Sequence, residues 1–166
     1  MSRPNIIYIL ADDMGYGDCT VNNPASKIST PNIDQLAEEG LRFTDAHSAS
    51  VTCTASRYGL LTGINPARTG VRNTLLGQGY PIIDENEITL PSMLRDQGYA
   101  THMVGKWHLG HLPQYLPTAH GIDYYFGIPY SNDMDRLATA PKGRESFNIY
   151  DTTNFNVPLM RDLEIV

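Results

Sequence analysis

"TLPSMLRDQGYATHMVGKW", Thr89 to Trp107, carries the fold in miniature. Thr89 is a residue type that caps helices, and Pro91 suits a first helical turn, where the missing N–H costs nothing. Gly98 is a stop signal, because glycine readily takes the left-handed conformation that ends helices. "YATHMV" then reads as a strand. The same device stands upstream in "STPNIDQLAEEG", where Thr30 is the expected cap, Pro31 the first helical residue and Gly40 the stop. Ile33, Leu36 and Ala37 form the apolar stripe of that helix. "LRFTDA" (41–46) follows as a second expected strand. At the start, "NIIYIL" (Asn5 to Leu10) is a short apolar run rich in isoleucine, suited to a strand buried on both faces of a parallel sheet. Strand, helix, strand, helix, strand is an α/β pattern. After Trp107 the chain is rich in Gly, Pro, Tyr and Asn, which predicts long loops. In open α/β sheets the loops at strand C-termini hold the site.

Composition bounds the function. At 166 residues the chain is long enough for one domain with a real core. Its net charge of −6 argues against a general nucleic-acid binder, which shows a basic face. An anionic substrate stays open, because a few local groups and any bound metal set the field of a site. Two cysteines, Cys19 and Cys53, are no disulfide framework. No stretch approaches the ~20 apolar residues of a membrane span. The start, "MSRPNIIYILADD", does not read as a secretory signal, since its apolar run is short and leads into acidic residues. Either the native protein is cytosolic or a leader has been removed. The last residues, "VPLMRDLEIV", read as an apolar, strand-like run, as expected of a chain cut within a larger domain.

Three places carry groups that could do chemistry. Asp12 and Asp13 directly follow the first expected strand. Adjacent carboxylates repel unless a cation sits between them, and their oxygens suit a hard ion, Ca²⁺ or Mg²⁺. Both can reach one ion only if the backbone turns, which Gly15 and Gly17 permit. The plainer reading of the dipeptide alone is a solvated acidic turn. In "CTASRYGLLTG", a helix over 54–62 would put Cys53 at its N-terminus, where the macrodipole favours a thiolate or an anion. Arg57, one turn on, returns to the same face as a planar donor fork for oxyanions. Alternatively Cys53 is a buried thiol beside a surface arginine. In "GKWHLG", Lys106 and His108 are two apart after an expected strand, so an extended backbone would aim both to one side. A lysine can hold a sulfuryl or phosphoryl oxygen and a histidine can move a proton. The pair can equally be a loop lysine and a packed histidine. His47, His102, His111 and His120 lack such partners in the sequence and read as structural. The three places together sit at the ends of three α/β segments, as the parts of one site would.

The same residues carry a family resemblance. "CTASRYGLLTG" resembles the sulfatase signature, Cys-x-Pro-x-Arg with a leucine-threonine-glycine tail, and "GYATHMVGKWHLG" (Gly98 to Gly110) resembles the second sulfatase signature. "NIIYILADDMGYGD" and "TPNIDQLAEEGLRFTDAHS" are similar to the family's opening, and "HGIDYYFGIPYSND" to its arylsulfatase A-type branch. Together these blocks cover most of residues 5 to 131. The resemblance implies an alkaline phosphatase-like fold, a mixed, mostly parallel sheet sandwiched by helices and incomplete in this chain. It implies a metal-dependent sulfuric ester hydrolase acting on small-molecule or carbohydrate sulfate monoesters. Cys53 would be converted to Cα-formylglycine by a formylglycine-generating or sulfatase-maturating enzyme. Its hydrated gem-diol would attack sulfur with one hydroxyl and expel sulfate through the other. By the same match Asp12, Asp13 and the modified Cys53 would be metal ligands, usually for Ca²⁺. Arg57 would hold the diol and the metal-site carboxylates, Lys106 would bind sulfate, His108 would assist breakdown of the diol, and Ser131 would lie near the sulfate. Family members are commonly periplasmic, secreted or lysosomal.

Two departures from the family pattern stand out. Ala55 occupies the position where the family usually has proline, so conversion of Cys53 depends on the host's machinery. Family members also run to several hundred residues. Their remaining metal ligands, a second lysine and a leaving-group acid lie downstream, so the resemblance implies that this polypeptide alone is an inactive N-terminal part of a catalytic domain. Two other functions remain open at this point. One is phosphonate monoester or phosphodiester hydrolysis, since some superfamily members share the Cys-x-x-x-Arg nucleophile. The other is a truncated, non-catalytic product.

Overall fold

The computed structural model describes residues 3–71, 82–132 and 157–166. The chain divides into two compact units, Met1–His47 and Ser48–Val166. In unit 1 the described helix is α1, Pro31–Glu39, with Thr30 at its N-cap and Pro31 at N1. Gly40 ends it, its N–H donating to the Leu36 carbonyl at 3.0 Å. The Thr30 hydroxyl does not cap the helix. It donates to Asp34 Oδ1 at 3.1 Å, and the same oxygen accepts the Val21 N–H at 2.9 Å. The Thr20 hydroxyl reaches the other carboxylate oxygen, and this bond above all holds the Asp34 carboxyl below its ordinary range. Asp34 therefore ties the loop before α1 to its first turn.

Two expected strands of unit 1 do not form. Residues 5–10 and 41–46 carry no ladder bonds. A strand needs a partner for its N–H and C=O groups, and none of the described residues supplies one. Their apolar side chains face solvent instead, Ile7 at 85% and Ile9 at 81% exposure, and Leu41 and Phe43 likewise. The Ile33 and Leu36 stripe of α1 is also exposed.

Unit 2 holds the sheet and the core. Helix α2 is Cys53–Thr62, and α3 is the single turn Pro66–Thr69. Helix α4, Leu90–Asp96, starts where the sequence places it. The Thr89 hydroxyl accepts the Ser92 N–H at 3.2 Å and the Ser92 hydroxyl accepts the Thr89 N–H at 2.9 Å, a reciprocal capping box. Just past its end, Gly98 has φ +83°. Strand β1, His102–Lys106, lies parallel to β2, Tyr124–Ile128, in a five-residue register from His102 opposite Tyr124 to Lys106 opposite Ile128. Strands β3 (Met160–Arg161) and β4 (Glu164–Ile165) add antiparallel pairs, giving a mixed sheet of order β1-β2-β3-β4. The last strand-like run is therefore a hairpin, which turns at Asp162 and Leu163. In the expected long-loop region, a crossover of 3₁₀ turns (Pro113–Tyr115, Pro117–His120) leads into a strand, β2.

One glycine sets the closeness of the parallel pair. A Cβ on Gly127 would lie 1.8 Å from the Gly105 carbonyl oxygen, inside any permitted contact. The core below consists of Tyr58, Ile83, Trp107, Leu109, Leu116, Ile122, Tyr125 and Met160. Burying each of these side chains fully is worth about 1.5–3 kcal/mol. Trp107 is 1% exposed, stacks on His120 (5.9 Å, 22°), and donates its Nε1–H to the Tyr115 carbonyl at 2.8 Å. Among the described residues no helix is long and apolar enough to cross a membrane.

Candidate active site

In unit 2 the site begins with the hydroxyl-rich turn before α2. Ser48 and Ser56 each donate to the Ser50 carbonyl at 2.6 Å, which folds the entering chain against the first helical turn. Cys53 is then the first helical residue, a free thiol partly open to solvent. The next residues face inward: Thr54 and Ala55 are fully buried and Arg57 is 9% exposed. Two of these side chains bind α2 to the end of β1. The Thr54 hydroxyl donates to the His108 carbonyl at 3.2 Å, and the Arg57 guanidinium donates to the Lys106 carbonyl. The helix bearing Cys53 is thereby fixed beside the residues that bear Lys106 and His108. Burial pushes the Tyr125 phenol well up, and the Arg57 charge offsets part of that effect. The Tyr125 hydroxyl points at the Gly105 carbonyl, 3.4 Å away.

Lys106 and His108 are close in the chain for a different reason from strand alternation. Strand β1 ends at Lys106, and His108 has φ +64°, a left-handed conformation unusual for a non-glycine residue. The expectation that an extended backbone aims both side chains to one side therefore fails at His108. The parallel ladder still governs its backbone: Trp107 N–H donates to Ile128 (2.9 Å) and His108 N–H to Pro129 (3.0 Å). The His108 ring is 1% exposed and meets Tyr130 nearly at right angles, with centroids 6.0 Å apart. Ser131 follows Tyr130 and is half-buried. Cys53, Arg57, Lys106, His108 and Ser131 thus all belong to unit 2.

Asp12 and Asp13 belong to unit 1. They occupy an exposed turn, and the peptide bond between them is cis. The turn lies at the two acids themselves. Gly15, expected to permit it, has φ −73°, which any residue adopts. Its use is space, since a Cβ there would be 3.1 Å from Asp18 Oδ2, the oxygen that accepts the Gly15 N–H at 2.8 Å. As a donor set, two adjacent exposed carboxylates fit a hard cation in kind. They would supply two to four of the six to eight oxygens that Ca²⁺ takes, and among the described residues no group of three or more His, Cys, Asp or Glu is placed to hold a metal ion.

The remaining histidines divide. His47 bonds Asp45 at 2.7 Å in the open, His102 is exposed on β1, and His120 is buried against Trp107. His111 departs from its structural reading. Its Nδ1 lies 2.5 Å from the Tyr130 hydroxyl, and its ring is 5.4 Å from that of Tyr130. No motif or spacing signals this pair, which is formed by a turn after His108 and by the end of β2.

The mixed sheet, with a helix docked at its strand ends, is the alkaline phosphatase-like α/β fold of its structural neighbours. The sulfatase family model matches residues 4–156, and the chain belongs to that family. It is 52% identical over 132 residues to arylsulfatase G of Mus musculus, covering 80% of this chain and 25% of that protein. It is 42% identical to arylsulfatase A of Bos taurus, covering 99% of this chain and 33% of that protein. Among solved structures, it matches a 6S-sulfatase from a Bacteroides thetaiotaomicron locus for glycosaminoglycan metabolism, with a TM-score of 0.77 and 37% identity. That match covers 99% of this chain and 32% of the other. The chain thus spans about a quarter to a third of the relatives it matches.

Proposed function

We propose that this chain carries the nucleophile and oxyanion-binding part of a sulfatase that hydrolyses sulfate monoesters. The observation that supports it most is the double bond of α2 to β1. Thr54 and Arg57 hold the Cys53 end of the helix against the carbonyls of His108 and Lys106. In this reading Cys53 is the residue that a maturation enzyme converts to formylglycine, and its diol oxygen would supply the nucleophile toward sulfur. Asp12 and Asp13 would hold Ca²⁺ or Mg²⁺, whose charge would oppose that of the sulfate oxygens.

The chain's own groups do the rest. The N-terminus of α2 presents first-turn N–H groups that have no intrahelical acceptor, and the positive end of its dipole, beside position 53, which favours an anion there. Arg57, desolvated and held by the Lys106 carbonyl, adds a fixed cation that costs no reorganisation during reaction. Lys106 binds a sulfate oxygen with its ammonium, and Ser131 adds a hydroxyl. His108, shielded from water, takes or returns a proton at an imidazole nitrogen. The second hydroxyl of the diol would lose its proton and expel sulfate as the aldehyde re-forms, with no second nucleophile at sulfur, which is why an unconverted thiol at 53 would be a poor substitute. Substrates are proposed as small-molecule or carbohydrate sulfate esters, and the compartment as one outside the cytoplasm.

Mass spectrometry of the Cys53 peptide, with paired assays on aryl sulfate and phosphodiester substrates, tests this reading. Formylglycine at 53 and preferential sulfate ester turnover by the gene product are expected. Preferential turnover of a phosphodiester or phosphonate monoester would overturn it, and so would an unmodified Cys53 in an active enzyme.

A further inference from the structure

The His108 imidazole is almost fully enclosed, on a residue whose backbone is left-handed. A ring used for proton transfer must be held at a fixed angle, and its own strand has ended two residues earlier. One neighbouring group that can hold it is Tyr130. That ring is 8% exposed and stands at 84° to the imidazole, an edge-to-face arrangement favoured by aromatic quadrupoles. Tyr130 is itself fixed at both ends. Its backbone follows Pro129, whose carbonyl accepts the His108 N–H at 3.0 Å. Its hydroxyl is 2.5 Å from Nδ1 of His111. Either tautomer of His111 supports that bond, because a phenol can donate or accept. Burial pushes the Tyr130 phenol up, so it stays neutral near neutral pH. The loop is shaped for the contact: Gly110 has φ +137°, and a Cβ there would meet Tyr115 Cβ at 2.6 Å. Only glycine lets the chain double back to bring His111 over Tyr130.

We infer that Tyr130, held by the exposed His111, is a positioning residue that fixes the orientation of the His108 imidazole. Its consequence for rate rests on the sulfatase reading above. His111 thereby matters to the chemistry without touching the substrate.

The gene product carrying this chain is compared with Tyr130→Phe, which keeps the ring and removes the hydroxyl, and with His111→Ala and the double variant. Each single change should lower kcat for an aryl sulfate by about tenfold with KM within about twofold, as second-layer supports do. The double variant should be no worse than either single one, because both break one link. Proton–carbon correlation spectra of the histidine rings, with the His108 signal assigned by its loss in His108→Gln, should show that signal displaced in Tyr130→Phe and in His111→Ala. An unmoved His108 signal, an unchanged kcat, or losses that multiply in the double variant would overturn the inference. If the wild-type protein turns over no sulfate ester, the sulfatase reading falls, and the His108 signal alone decides whether Tyr130 positions the ring.

Discussion

At the scale of single residues, Ala55 is the departure with the most consequence. It is fully buried in the first turn of α2, where the family signature usually carries proline. The helical ladder opens with Ser56 N–H to Thr52 C=O at 2.9 Å, so the Ala55 N–H is one of the donors every helix leaves without an intrahelical bond. A proline there removes nothing the ladder uses. Ala55→Pro is therefore expected to keep the fold, with a melting temperature within about 2–4 °C of wild type, equivalent to about 1 kcal/mol. It should also raise the converted fraction of Cys53 when a proline-requiring maturation enzyme is co-expressed. A melting scan and peptide mass spectrometry check the two halves, and collapse of the fold would show that packing around position 55 excludes the ring. What the sequence makes legible is a set of candidates: residue type and spacing single out Cys53, Arg57, Lys106 and His108, each beside a plainer reading, and the structure puts all four in unit 2. Spacing does not supply the way they meet. Thr54 is not singled out in the sequence, yet its hydroxyl is one of the two ties between α2 and the end of β1. His111 and Tyr130 are nineteen residues apart, and only the β1–β2 register brings them together.

At the scale of elements, the helices are readable because their stop and start signals are local. Proline in a first turn and a cap before it place α1 and α4 to within a residue. Strands are not local, since their stability lies in partners far along the chain. That is why "YATHMV" forms β1 against a strand the sequence hides among turn residues, while 5–10 and 41–46 stay unpaired. The packing of the crossover on β1 makes stability depend on pH. Burial pushes the His120 imidazole below its ordinary 6.5, and the Glu87 charge pulls it only part of the way back. Below pH 6.5 the unfolded chain takes up this proton more readily than the folded one. The stabilisation from a neutral His120 is thus complete above about pH 6.5 and is lost as pH falls through the lower folded value. The urea midpoint should drop between about pH 7.5 and about pH 5.5. In His120→Phe, which keeps a ring on Trp107, the drop should be smaller. An equal drop would remove His120 from the account.

At the scale of the whole molecule, acidity and ligand count set expectations. A net charge of −6 argues against a general nucleic-acid binder. Under the proposed function, Asp12 and Asp13 would supply only part of a calcium shell. The purified 166-residue polypeptide is accordingly expected to hydrolyse no aryl sulfate above the rate of buffer, with or without added Ca²⁺. Measurable turnover that disappears on chelation would show that these residues suffice. Unit 1 also leaves Ile7, Ile9, Leu41 and Phe43 in water. A row of apolar side chains on unpaired backbone is a template for association, so light scattering that rises with concentration is the corresponding liability of the isolated polypeptide.

The ties between α2 and β1 have a meaning beyond rigidity. In these two bonds Thr54 and Arg57 grip carbonyl oxygens of the main chain at 108 and 106. Every amino acid offers the same carbonyl. These two ties therefore do not depend on which side chains positions 106 and 108 carry. A lineage could exchange the lysine or the histidine, trading one anion for another or losing turnover altogether, and keep both bonds. Architecture and chemistry are written here in different atoms, which leaves the second free to drift while the first is kept.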